Sequence, residues 1–200
     1  MAAGDWLELS PDDGPILRAL RRRQRELDRQ RPTGLHISTL IDDFVACAYP
    51  QPEREALAEK HLRGVYEVGT IIEAVIADEL RQRAGWVKPA PRKFHGVWYS
   101  PDGWAARTRT IDEMKSTRIT SRHGLRNVKL VKYQIQIDLY SYVWEAWRQR
   151  LHVLFLNGNW TPPFPEPRHY IRRPGRAALR GRYEQVLDHA SDRGLLKGRG

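Results

Sequence analysis

The segment Thr110–Thr117, TIDEMKST, alternates in the pattern of a half-buried β-strand. Because successive side chains of a strand point to opposite faces, Glu113 and Lys115 share one face, about 6.5–7 Å apart. Asp112 and Met114 point to the other face, where we expect packing and surface contacts. The segment therefore places a carboxylate beside an amine, either as a surface ion pair or as part of an active site.

Length and composition indicate a globular domain. The chain has 200 residues, of which 40% are hydrophobic and 29% charged. It contains no apolar run of about 20 residues, the length of a membrane-spanning helix, and its first residues lack the apolar stretch of a signal peptide. Cys47 is the sole cysteine, so an internal disulfide and a cysteine cluster are excluded. We therefore expect an intracellular protein.

The charge points to a polyanionic partner. Lysine and arginine number 34 against 24 aspartate and glutamate residues, which gives a net charge of +10 and a pI near 10.0. Such an excess is typical of proteins that bind nucleic acid. The alternative is a basic surface that serves solubility alone.

The order of predicted elements indicates an α/β fold. Helices are predicted at about 15–31, 35–50, 53–83, 128–150 and 175–190, three short strands within 85–117, and further strands at 150–160 and 168–174. This order predicts a small mixed sheet flanked by helices. We expect one domain, with an N-terminal helical extension (1–50), a core (53–172) and a C-terminal helix with a basic tail (173–200).

Asp102 lies in the turn Ser100–Gly103. We expect it to end one strand of a hairpin whose partner strand carries Glu113 and Lys115. Two carboxylates at adjacent strand ends suit a hard divalent cation such as Mg²⁺. Asp before Gly is also ordinary turn chemistry, so this residue alone decides nothing.

Glu73 lies in an apolar stripe of the predicted helix 53–83. Its neighbours on the same helix face are Tyr66, Gly69, Ile76, Ala77 and Leu80. A buried carboxylate is costly unless a metal, a proton or a cation accompanies it. The alternative is a border position from which the side chain reaches water.

The predicted helix 128–150 carries a second stripe beside its apolar face: Lys129, Lys132, Tyr133, Gln136 and Tyr140. Cations and aromatic rings on one face suit a phosphate backbone with stacked bases. An ordinary polar helix side is the alternative. The seven histidines are scattered, with no pair at i, i+4, and His95 is expected to be structural or substrate-facing.

Four motifs in order resemble those of the PD-(D/E)XK nuclease superfamily, in particular its RecB-like and lambda-exonuclease-like branch. They are Gly69-Thr-Ile-Ile-Glu73, Ser100-Pro-Asp102-Gly103, Glu113-Met-Lys115 and Gln136-Ile-Asp-Leu-Tyr140, and they span about a third of the chain. The resemblance implies a restriction-endonuclease-like core of order α-β-β-β-α-β, with extra N- and C-terminal helices.

The resemblance also implies metal-dependent hydrolysis of DNA. Asp102, Glu113 and the carbonyl of Met114 would bind one or two Mg²⁺ or Mn²⁺ ions, with Glu73 completing the acidic cluster. Lys115 would orient the attacking water, lower its pKa, or stabilise charge on the phosphate.

The helix motif completes the implied site. Gln136 and Tyr140 would position the lysine or the DNA strand, and Lys129, Lys132 and Tyr133 would contact nucleic acid. The resemblance favours an exonuclease of recombination, repair or phage DNA processing. A structure- or sequence-selective endonuclease and a DNA-binding scaffold with a vestigial site are the alternatives.

The chain departs from those relatives that hold an iron–sulfur cluster through four cysteines, because it has Cys47 alone. No such cluster is expected. The implied setting is the cytoplasm of a prokaryotic or phage-infected cell, with DNA as partner and no membrane contact. A homo-oligomer or a recombination partner protein is left open.

Overall fold

A five-stranded mixed sheet organises the chain. The structure, a computed structural model, describes residues 32–50, 85–119, 121–126, 130–156 and 166–196, with the single positions 22, 25, 26, 29, 69, 73, 74, 77 and 82. The strands are β1 (Trp86–Val87), β2 (Arg92–Phe94), β3 (Val97–Tyr99), β4 (Gly103–Ala105), β5 (Thr110–Thr117), β6 (Arg148–Phe155) and β7 (Glu166–Arg172).

The strand order in the large sheet is β1-β4-β5-β6-β7. β5 and β6 are parallel, and the other neighbours are antiparallel. β2 and β3 form a separate two-stranded sheet. Parallel strands need a crossover connection of about a dozen residues or more, which is usually a helix, between β5 and β6 in the sequence.

Three helices are described in full: α1 (Ile37–Ala48), α2 (Val131–Val143) and α3 (Arg176–Asp192). Short 3₁₀ segments occupy Ala106–Thr108 and Ser121–Arg126. α2 is the crossover helix and packs on β5 and β6, while α1 and α3 pack on α2. None of the described helices is both long and apolar enough to cross a membrane.

The main core lies between α2 and the sheet face that carries Ile111. Leu139 of α2, Leu40 of α1 and Leu187 of α3 join Ile111 there, all fully buried. The opposite face of β5 packs a smaller cluster around Met114. β5 is therefore covered on both faces, although its sequence alternates.

The region 85–117 holds five strands, so the prediction of three is wrong. His95 and Gly96, both at positive φ (45° and 79°), form the turn that separates β2 from β3. The hairpin partner of β5 is the short β4, and Asp102 precedes β4 instead of ending a strand. Such short strands give little periodicity for a pattern to detect.

The predicted helix 128–150 is too long at its C-terminal end. α2 ends at Val143, Glu145 adopts a positive φ of 52°, and β6 begins at Arg148 with an alternating burial pattern. Val143 and Ala146 are three residues apart and both buried, so their spacing mimics one continuous helix face. The predictions of α1, α3 and β7 are confirmed.

Several predictions fall wholly or partly outside the described residues. Arg22, Arg25, Glu26 and Arg29 of the predicted N-terminal helix are helical, as are Gly69, Glu73, Ala74 and Ala77 of the helix 53–83. Gln82, near the end of the second of these helices, lies in a turn. The other positions of the two helices, the turn at 157–158 and the tail from 197 lie outside the described residues.

Candidate active site

The candidate site forms beside the first residue of β4, where β5 continues past the end of its antiparallel neighbour. Gly103 of β4 pairs with Asp112, so β5 extends beyond its antiparallel neighbour. The backbone N–H of Met114 donates to Oδ2 of Asp102 at 2.8 Å, and the N–H of Ser116 donates to Glu73. Two carboxylates thus occupy the edge that a longer β4 would have covered.

A close backbone approach fixes the position of Asp102. A Cβ atom on the next residue, Gly103, would lie 2.3 Å from ring atoms of the buried Trp86. No side chain fits at that distance, so glycine is required for β1 and β4 to pair here. Because Asp102 is the residue before Gly103, this packing also fixes the backbone position of Asp102.

A second glycine brings Glu73 to the strand. Gly69 lies one helical turn before Glu73, and a Cβ atom there would be 2.7 Å from Oγ of Ser116. The absence of a side chain lets this helix approach β5 closely. Gly69 therefore explains how a helical carboxylate reaches a strand N–H group.

Glu113 and Lys115 lie on the face of β5 that turns toward α2. Nζ of Lys115 is 2.6 Å from Oε1 of Glu113, and their side chains are 16% and 1% exposed, respectively. Oε2 of Glu113 is buried and has no hydrogen-bond partner among the described residues. A buried carboxylate oxygen without a donor is costly, so it marks a position that suits a cation.

Burial raises the pKa of both Glu113 and Glu73. Burial, reinforced by the charge of Asp102, raises the pKa of Glu113 to about 8. Burial likewise raises the pKa of Glu73 to about 7. Although burial alone would lower the pKa of Lys115, the carboxylates of Glu113, Asp102 and Glu73 raise it well above its ordinary value. The lysine is therefore a fixed positive charge.

The carbonyl of Met114 faces the same edge as its N–H. In a strand the N–H and C=O of one residue point to the same side, and the N–H of Met114 is bonded to Asp102. Met114 thus offers a backbone oxygen beside Asp102, while its side chain packs with Ala77 and Trp86.

α2 supplies the wall opposite Glu113. The amide of Gln136 donates to the hydroxyl of Tyr140 at 2.8 Å. Tyr140 is buried, so it belongs to the site wall and not to an exposed stripe. Burial, together with the nearby charge of Glu113, raises its pKa.

Two of the three residues predicted to contact nucleic acid, Lys132 and Tyr133, are described by the structure. Nζ of Lys115 and Nζ of Lys132 lie 5.7 and 5.6 Å, respectively, from the ring centroid of Tyr133. Lys132 also lies 3.5 Å from Asp42. Lys129 falls outside the described residues. Tyr133 therefore links the site lysine to one surface lysine of the predicted stripe.

The burial of Asp112 and its partners were not predicted from the sequence. Instead of a surface side chain, it is fully buried and accepts two hydrogen bonds from Arg150, at 2.6 and 2.7 Å. Nε2 of His152 lies 3.0 Å from the same carboxylate, and Nδ1 of His152 lies 2.8 Å from Nδ1 of His169. These partners are on β6 and β7, and no local pattern signals them.

One residue near the site, Lys88, was not predicted from the sequence, and one histidine that was considered, His95, lies away from the site. Lys88 is close enough to lower the pKa of Glu73 by its charge. His95 lies elsewhere, with Nδ1 3.2 Å from the hydroxyl of Tyr183 and its ring stacked on Phe94. His95 is therefore part of the packing between β2 and α3.

Comparison with known proteins yields structural likenesses only. No protein-family model matches the chain, and no curated protein matches it significantly. Among solved structures, SSO0001 covers 88% of this chain and 87% of its own, with a TM-score of 0.54 and 13% identity. The chain shares its fold with SSO0001.

Two further structures align with lower TM-scores. They are a phage-related exonuclease from Haemophilus somnus 129PT (0.47, 10% identity, 78% of this chain and 79% of that chain) and the alkaline exonuclease LHK-Exo from Laribacter hongkongensis (0.46, 12% identity, 80% and 87%). The predicted mixed α/β fold, a small mixed sheet flanked by helices, is confirmed.

Proposed function

We propose that this chain is a metal-dependent nuclease that hydrolyses phosphodiester bonds of DNA, acting as an exonuclease. The observation that carries the proposal is the largely buried pair of Glu113 and Lys115 at one edge of β5, where the charges of Asp102 and Glu73 also act on the lysine. Clustered acids around one buried cation are expensive for stability alone. Such a cost is typical of a catalytic site.

The donor set fits a hard divalent cation. The oxygens of Asp102 and Glu113, the Met114 carbonyl and Glu73 are all hard ligands of the type that Mg²⁺ and Mn²⁺ prefer. The unpartnered Oε2 of Glu113 is explained if a cation belongs there, and the charge of such an ion would offset the burial that raises the pKa of Glu113 and of Glu73. A bound ion would supply Lewis-acid polarisation of a phosphoryl oxygen and an activated water.

Lys115 is proposed to stabilise charge. Because its pKa is raised well above the ordinary value, the amine keeps its proton at neutral pH and does not serve as a general base. A fixed ammonium in a largely buried site favours the extra negative charge that develops on phosphate during hydrolysis. Tyr133 flanks the amine and limits its side-chain freedom.

The surroundings suit a polyanion. Arg118, Arg122 and Arg126 follow β5 directly and are exposed. They lie on the connection from β5 to α2, and Lys132 lies in the first turn of α2. This positive charge supports a path for the phosphate backbone. The exonuclease assignment rests on the resemblance of the motifs, and the shape of the site does not decide it.

The test compares linear and closed circular DNA in the presence of Mg²⁺ or Mn²⁺. Lys115→Met and Glu113→Gln are expected to degrade linear DNA on the order of 100-fold more slowly than wild type. Glu184→Gln, an exposed acid of α3 paired with Arg180, is the control and should match wild type.

Three outcomes are informative. Equal degradation by wild type and both site variants would overturn the proposal. Nicking of closed circles would assign an endonuclease instead, because a strict exonuclease needs an end. An RNA of the same sequence, run in parallel, determines whether the sugar is discriminated.

A further inference from the structure

A second group of metal-binding side chains lies far from β5 in the sequence, between α1 and α3. Asp43 and Cys47 are four residues apart on α1 and so share one helix face. His189 comes from α3. One ligand atom from each of the three residues lies within 4.8 Å of the other two.

The packing of the helices holds this geometry. Nε2 of His189 lies 2.8 Å from Oδ2 of Asp43. The ring of Phe44, buried in the core, contacts the His189 ring edge-on with a centroid distance of 5.4 Å. The imidazole is therefore oriented by its neighbours, while Cys47 is exposed and leaves the group open to solvent on one side.

The chemistry of these ligands differs from that of the acidic cluster. A thiolate, an imidazole and a carboxylate together suit Zn²⁺ and similar transition ions, whereas Mg²⁺ prefers oxygen alone. Ligand atoms around a tetrahedral zinc are roughly 3.3–3.7 Å apart, given bond lengths of about 2.0–2.3 Å. The side chains need only small movements to reach that arrangement.

We infer that Asp43, Cys47 and His189 form a zinc site, with water as fourth ligand, that joins α1 to α3. This site is separate from the proposed catalytic centre and does not depend on the nuclease assignment. One residue opposes it: Nε of Arg193 lies 3.6 Å from Oδ2 of Asp43 and competes with a cation for that carboxylate. The ion would tie together two helices that both pack on α2.

Cobalt titration tests the inference without reference to activity. Because Cys47 is the only cysteine, a thiolate-to-cobalt absorption band in the near ultraviolet reports this residue alone. We expect the full-length protein, kept reduced with a phosphine, to develop the band with one Co²⁺ per chain and to lose it when one equivalent of Zn²⁺ is added.

Single substitutions test the contribution of each proposed ligand to Co²⁺ binding. Cys47→Ser should abolish the band, and Asp43→Asn and His189→Ala should each weaken Co²⁺ binding at least about tenfold. Arg193→Ala should strengthen it. Asp42→Asn, one residue away and directed toward Lys132, is the matched control and should show the wild-type band. Glu113→Gln, which alters only the acidic cluster, should leave this band unchanged, because the band reports Cys47 alone.

Two results of the cobalt titration would overturn the zinc-site inference. The inference is overturned if the reduced protein shows no thiolate band at saturating Co²⁺. It is also overturned if the band persists unchanged in Asp43→Asn and His189→Ala, because Cys47 would then bind the ion without them. Circular dichroism of each variant establishes that it is folded before titration.

Discussion

The N–H of Met114 donates to Asp102 at 2.8 Å, so a proposed metal ligand also satisfies the backbone of the strand that carries the other ligands. Asp102 is thus fixed from both sides, by β5 and by the packing of Gly103 on Trp86. The same carboxylate therefore contributes to the stability of the fold, as a hydrogen-bond acceptor, and to the proposed catalysis, as a metal ligand. Mutation can separate these two contributions.

Asp102→Asn and Asp102→Ala make that separation. Asparagine keeps an oxygen that accepts from Met114 but loses the charge, so we expect near-normal stability with activity reduced on the order of 100-fold. Alanine leaves the N–H without an acceptor and should cost about 1–3 kcal/mol in unfolding free energy as well. Urea denaturation and nuclease assays on both variants measure the difference. Equal stability of the two would contradict the hydrogen-bond argument.

Lys115 and Lys132 both approach Tyr133 but are expected to act differently. Lys115→Met should lower kcat on the order of 100-fold or more, because a charge that stabilises the transition state is lost. Lys132→Met, at an exposed ion pair with Asp42, should mainly raise KM, since one phosphate contact is lost. Steady-state kinetics at two salt concentrations separates the two effects. A similar change of kcat in both variants would refute the assignment.

Gly103→Ala should unfold the edge of the sheet. The added methyl group would lie 2.3 Å from the Trp86 ring, and overpacking of this kind costs about 1–3 kcal/mol. Activity should fall too, because Asp102 is the adjacent residue. Gly181→Ala is the control: on α3 its Cβ would meet nothing within 4 Å, so the better helix former should stabilise by up to about 1 kcal/mol. Thermal melts of both variants give the comparison.

The buried Asp112 makes stability depend on pH. Burial alone would raise the pKa of its carboxyl, but hydrogen bonds from His152 and Arg150 and the charge of Arg150 hold it below the ordinary value. An acid whose folded pKa is lowered stabilises the fold above its unfolded pKa, near 4, and loses that contribution as pH falls further.

Asp112→Asn should therefore be less stable than wild type by about 1–3 kcal/mol at pH 7. The gap should stay constant down to about pH 5 and narrow below about pH 4. Asp42→Asn, which removes an exposed carboxylate, should cost less than about 1 kcal/mol at any pH. Urea midpoints between pH 3 and 8 test this, and a gap that widens in acid would reverse the sign of the argument.

Periodic patterns along the sequence predicted which site residues share a strand face or lie on an apolar helix face. The alternation of TIDEMKST placed Glu113 and Lys115 on one face, and the apolar neighbours of Glu73 indicated a buried acid. Both signals arise from the chain's own periodicity, which is set by backbone geometry before any tertiary contact forms. The roles assigned to these residues stay predictions.

Long-range partners could not be predicted in the same way. Asp112 is buried because Arg150, 38 positions later, lies beside it on the parallel strand β6. His189 meets Asp43 across 146 positions. Which residues become neighbours depends on strand order and helix packing, and neither is encoded in spacing along the sequence. The five strands of 85–117 were missed since several have only two or three residues.

The edge of β5 beyond β4 has one more consequence. Unpaired N–H groups along a strand are a template on which another chain can add a strand, and charged side chains are one way in which proteins prevent this. Here side-chain oxygens of Asp102 and Glu73 accept from the N–H groups of Met114 and Ser116 and so occupy these donors directly. Removal of both carboxylates would leave a hydrogen-bonding edge open, so an inactive double alanine variant should aggregate where the matched asparagine and glutamine variant stays monodisperse.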